Sequence, residues 1–147
     1  MPVLIPSYVY TLFASMAIGT LLICASSLCM LNVKYEADLQ QLNNIAQTVA
    51  SKCFELATLT ETNNVTSSSK LSIPISVGNQ RYWLQLGNDS RQSWVEIGFG
   101  TEPTPVGCRA LVPLEASASG AYISGVGTAN LECYLNNSEV YLVIGEG

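Results

Sequence analysis

Residues 1–33 read MPVLIPSYVYTLFASMAIGTLLICASSLCMLNV, without one Asp, Glu, Lys or Arg. All 17 charged side chains of the 147-residue chain therefore fall from Lys34 onward. An apolar helix crosses a bilayer core in about 20 residues, and 33 would reach roughly 50 Å, so the stretch is longer than one span requires. Polar but uncharged Ser7, Thr11, Ser15, Thr20, Ser26 and Ser27 are spread through it. A secretory signal peptide opens with a basic region and closes at a small-residue cleavage site after a short apolar core. Here no basic residue precedes the run, and the run passes straight into a second helical pattern. The expectation is a retained helix. Pro6 sits in its first turn, where a missing N–H does no harm, and Gly19 is the only glycine inside it.

Working outward, Tyr35, Leu39, Leu42, Ala46, Val49, Cys53 and Leu56 recur at alternating steps of four and three. That is a heptad seam, and polar residues such as Glu36, Asp38, Gln40, Asn43, Gln47 and Lys52 lie between its members. The sequence thus predicts one helix over residues 1–59, apolar through residue 33 and amphipathic over residues 34–59. Two partners fit the amphipathic half: neighbouring helices, or the chain's own following domain.

Residues 60–70, TETNNVTSSSK, read as a polar linker. Residues 71–147 then alternate in short runs. LSIPISV, QRYWLQL, SWVEIGF, CRALVPL, AYISGV, NLECYL and EVYLVIG are separated by Gly, Ser and Asn clusters. About seven short strands at this spacing predict a small antiparallel β-sandwich or barrel, giving an α+β chain overall. Pro74 belongs on an edge or at a bulge, because it cannot donate to a ladder. The glycine pairs Gly98/Gly100 and Gly125/Gly127 read as turn residues, since no helical pattern follows them to build a phosphate cradle. The aromatic residues Tyr82, Trp83, Trp94, Tyr122, Tyr134 and Tyr141 read as strand packing.

Composition narrows the function classes. Apolar residues make up 48% and charged residues 12%, about half the usual charged share, so much of this surface is meant for lipid or for other copies. A net charge of −5 with six basic residues excludes a phosphate-tracking nucleic-acid surface. Histidine is absent, which removes the commonest general base and metal ligand. No nucleophile elbow or paired-acid pattern replaces it, so the expectation is a non-enzyme without catalytic residues, cofactor or metal. Of five cysteines, Cys24, Cys29 and Cys53 fall in the helix and read as buried small hydrophobes. Cys108 and Cys133 fall in the head, where a disulfide between them is expected to staple a small core. Cys53 with either head cysteine is the competing pairing, and two buried free thiols are the other alternative. Three N-x-[ST] sequons begin at Asn64, Asn88 and Asn136, each in a segment read as linker or turn; they are candidate glycosylation sites and require an exported head.

An uncharged N-terminal helix, its amphipathic continuation LNNIAQTVASKCFEL, and then LSIPISVGNQRYWLQL opening a small β head resemble the archaeal type IV pilin superfamily, which includes the archaellins. Bacterial members carry a glutamate near the mature N-terminus; none occurs here before Glu36, which fits the archaeal branch. The resemblance implies a subunit inserted in the membrane before assembly, then packed by pilus or archaellum assembly machinery into an extracellular homopolymer. Such a fibre serves adhesion or motility, its helices forming the core and its heads facing outward. The filament-core residues would be Leu4, Ile5, Leu12, Phe13, Met16, Ile18, Gly19, Leu21, Leu22, Ile23, Leu28, Leu31, Tyr35, Leu39, Leu42, Ala46 and Val49. The alternative is a single-pass anchored binding module whose extracellular head grips a surface-layer or archaellum motor component.

Overall fold

A computed structural model describes residues 4–105 and 107–147. One α-helix, α1, spans Leu4–Asn63. Its length follows from the sequence: no glycine interrupts it except Gly19, and Pro6 lies in the first turn. It ends where Asn64 turns left-handed (φ 53°) and its N–H donates to the Thr60 carbonyl at 2.9 Å, the arrangement asparagine tolerates after a helix. The expected linker at 60–70 is therefore shorter than its composition suggests. Residues 60–63 remain helical, and Ser67–Leu71 form the first strand, β1.

Seven more strands follow: β2 (Tyr82–Asn88), β3 (Ser93–Phe99), β4 (Cys108–Val112), β5 (Ser117–Ser119), β6 (Ala121–Ile123), β7 (Ala129–Asn136) and β8 (Glu139–Glu146). They make two four-stranded sheets, ordered β1-β7-β8-β5 and β4-β3-β2-β6. All pairings are antiparallel except β5 with β8. The chain crosses from one sheet to the other at Gly120, between β5 and β6 (φ 107°). A Cβ there would meet the Ile144 carbonyl oxygen at 2.1 Å, so only glycine fits.

The run LSIPISV does not form the strand its alternation predicts. Only Leu71 is in β1, and Ile75 is exposed. The Tyr82 hydroxyl donates to the Pro74 carbonyl, tying this segment down without a ladder. On the outer face of the second sheet two tryptophans each lie over a glycine on the paired strand, Trp83 across from Gly98 and Trp94 across from Gly87. Gly98 is thus a strand residue kept small by an indole rather than a turn residue.

The chain divides into two compact units, residues 1–37 and 38–147. In the second, one core joins the buried face of α1 from Leu42 onward to the inward residues of both sheets, among them Leu84, Ile97, Leu131 and Leu142. No buried apolar residue precedes Leu42 among those described. The buried stripe takes in Ile45, Ala50, Ala57 and Thr60 as well as the heptad positions from Leu42 to Leu56. That width suits a helix lying on sheets rather than a narrow helix–helix seam.

Candidate assembly surface

The apolar part of α1 carries its side chains outward. Leu12, Phe13, Met16, Ile18, Leu21, Leu22, Ile23, Leu28, Met30, Leu31 and Val33 are all between 55% and 77% exposed. The helix is long and apolar enough to cross a membrane, and the window that passes that test contributes nothing to the core. A helix apolar all round belongs inside lipid or inside protein, not in water. The side chains of Leu4 and Ile5 lie outside the described residues.

Five hydroxyls in this stretch turn inward on their own backbone. Thr11 Oγ1 donates to the Ser7 carbonyl (2.8 Å), Ser15 Oγ to Leu12 (2.8 Å), and Thr20 Oγ1 to Met16 (3.0 Å). Ser26 Oγ donates to Leu22 (2.7 Å) and Ser27 Oγ to Ile23 (2.9 Å). Each hydroxyl proton is thereby satisfied without water or a partner chain, which lowers the cost of dry surroundings. The sequence shows that these residues are uncharged; only the helix geometry shows them hydrogen-bonded. Gly19 has no heavy atom within 4 Å of the position a Cβ would occupy, so within one copy nothing requires glycine there.

The seam of heptad positions has two fates. Tyr35 is exposed and Leu39 half-buried, whereas Leu42, Ala46 and Val49 are buried in the chain's own core together with Cys53 and Leu56. Leu42, Ala46 and Val49 are therefore corrected from filament-core to head-core residues, because their surface is already covered by β strands of the same chain. Adjacent apolar pairs in the sequence (Ile45-Ala46, Val49-Ala50, Leu56-Ala57) are the signal of that wider contact, which the a/d pattern alone misses.

The cysteines also differ from expectation. Cys108 and Cys133 are both free, so the structure holds no disulfide between them; Cys108 lies in β4 and Cys133 in β7, on different sheets. The thiol whose charge acts on Cys53, on the buried face of α1, is Cys133. Burial first, and then Cys133, push the Cys53 thiol up to about 12. Burial likewise raises Cys133, against a smaller downward pull from the Thr60 hydroxyl, whose Oγ1 is buried with no other polar partner. Cys24 and Cys29, expected to be buried, are exposed on the apolar helix. Burial raises Tyr82 as well, and Tyr122 beside it adds to the shift.

Asn64, Asn88 and Asn136 are all exposed. Asp38, expected on a solvated helix face, is half-buried against Gly78. Glu96 receives Arg109 Nε at 2.8 Å, and that guanidinium also sits 4.5 Å from the Trp94 ring centroid, so this exposed pair braces the outer sheet face. Among the described residues no three His, Cys, Asp or Glu side chains converge as a metal site requires.

Compared with protein-family models, with curated proteins and with solved structures, the chain finds no match.

Proposed function

We propose that this chain is a structural subunit of an extracellular filament, built by packing the apolar part of α1 against the same segment of neighbouring copies. One observation carries the reading: an uncharged helical surface longer than a bilayer span, exposed in the single chain, whose hydroxyls from Thr11 to Ser27 are already satisfied internally. Lipid covers such a surface before assembly. Neighbouring helices then replace lipid, so the gain in the membrane comes from close packing, which small residues permit. Ala14, Ser15, Ala17, Gly19, Ala25, Ser26 and Ser27 supply them. Once the bundle is in water, the hydrophobic effect holds it as well.

The second reading, a membrane-anchored extracellular binding module, is favoured by the same helix passing the length and hydropathy test for a span. The two differ in whether shape matters. Replacing Gly19, Ala25 and Ser26 with leucine keeps an anchor inserted, because leucine is favourable in lipid. Inside one copy Gly19→Leu meets open space. In a packed bundle the same changes overfill helix contacts, at about 1–3 kcal/mol per site in every copy. Electron microscopy of material sheared from cells should show fibres of the wild-type chain, with the triple variant left in the membrane. Wild-type protein found only in membranes, and monomeric in mild detergent, would overturn the filament and leave the anchored module.

A further inference from the structure

The three sequons lie far apart in sequence, and the fold brings them to one pole of the head. Asn88 closes β2 and lines an open cleft of about 500 Å³, with Ser90 of the same sequon also in its wall. Ser138, the last residue of the sequon that begins at Asn136, lines the cleft from the β7–β8 turn. Glu61 lines it from the end of α1, three residues before Asn64. The register Ser67↔Cys133 runs antiparallel, so the chain entering β1 at Asn64–Thr66 starts beside the end of β7, where Asn136 lies. All three asparagines are exposed, as are the hydroxyl residues Thr66, Ser90 and Ser138 that complete the motifs.

We infer that this pole is a glycan cap, with N-linked oligosaccharides on Asn64, Asn88 and Asn136 meeting over a single cleft that stays in solvent when copies of the chain assemble. The three glycans need only an exported head; the placement of the cleft in solvent on assembly rests on the proposed filament. Asp89, Glu115 and Glu139 join Glu61 around the cleft. Pressing these four carboxylates against another copy would strip their water, a cost that only an opposing basic patch offsets, and the chain has six Lys and Arg in all. The pole is therefore unsuited to contact between copies and open to modification. The co-reactant is a lipid-phosphate-linked oligosaccharide. The asparagine amide nitrogen bonds to C1 of the first sugar as the C1–O bond to the carrier phosphate breaks. The phosphate leaves with that electron pair, and the amide gives up one proton to a base of the transferase.

The test uses full-length protein from its native cells. Glycopeptide mapping should find sugars on at least two of the three asparagines, and the intact mass should exceed the bare 15.8 kDa chain. The combined variant Thr66→Ala, Ser90→Ala, Ser138→Ala, which keeps all three asparagines and alters only exposed side chains, should return to the bare mass without a change in melting temperature. A lectin for the mapped sugar should bind intact, undenatured assemblies. A bare native mass, or sugar on one site or none, overturns the cap. Lectin binding only after denaturation overturns its solvent-facing placement, while the mass and mapping results stand apart from the filament reading.

Discussion

Deleting residues 1–37 should leave a soluble monomer with an undiminished head. Every described buried residue of the core lies at Leu42 or beyond, so the deletion removes no core side chain. The new N-terminus, Asp38, places a carboxylate on the first turn of the shortened helix, where it interacts favourably with the free N–H groups and the helix dipole. The deletion does remove, besides tyrosines, the eleven apolar side chains from Leu12 to Val33 named above as 55–77% exposed. Full burial of one such side chain is worth about 1.5–3 kcal/mol, so covering the exposed two-thirds yields roughly 1–2 kcal/mol each, or on the order of 10–20 kcal/mol per copy. That is enough to hold an assembly together and to make the lone segment insoluble in water. Sedimentation velocity in detergent-free buffer should give a single monomeric species for residues 38–147, and thermal unfolding should be one cooperative transition. The full chain in the same buffer should sediment as fibres or precipitate. If the 38–147 fragment self-associates as strongly as the whole chain, or melts without cooperativity, assembly and folding are not divided between the two units as described.

Two further outcomes concern the head itself. Gly98→Ala puts a Cβ 2.7 Å from Cζ2 of the buried Trp83 indole and should cost about 1–3 kcal/mol, whereas Gly145→Ala meets nothing within 4 Å and should be neutral or stabilising by up to about 1 kcal/mol. Thermal melts that reverse this order would refute the indole-over-glycine packing. Alkali should destabilise the head from about pH 9 upward: the unfolded Cys53 thiol releases its proton near 9.0 and the folded one near 12, so above pH 9 the unfolded chain binds fewer protons and is favoured. The contribution is complete below pH 9, falls to nothing as pH passes about 12, and totals on the order of 4 kcal/mol; Cys53→Ala should flatten this part of the denaturant-stability profile against pH.

What the sequence made legible is what local pattern controls. SWVEIGF alternates cleanly and is β3 from first residue to last, because its inward Val95 and Ile97 can be buried only in that register. SSSKL offers almost no apolar signal, yet it is β1: β7 presents an open edge there, and pairing from Ser67↔Cys133 to Leu71↔Ala129 satisfies both backbones. LSIPISV shows the converse, a good alternation cancelled by a proline and by the closing hydroxyl of Tyr82. The expected Cys108–Cys133 bond is also absent, both thiols being free. Sequence separation carries no information on which sheet a strand joins, and the order β4-β3-β2-β6 puts Cys108 on the sheet that lacks β7.

The seam from Tyr35 to Leu56 marks the limit of such reading. An apolar stripe states that a surface will be covered and is silent on what covers it. From Leu42 onward the β head covers it, which leaves the uncharged segment before Lys34 as the part of α1 still without cover. Lipid and neighbouring copies both satisfy it chemically, because Thr11, Ser15, Thr20, Ser26 and Ser27 have already spent their hydroxyl protons on the helix's own carbonyls. Chemistry therefore cannot separate the two covers, and shape can. Lipid conforms to any helix surface, while a second helix must fit into it, so the open space over Gly19 has a consequence only if another copy enters it.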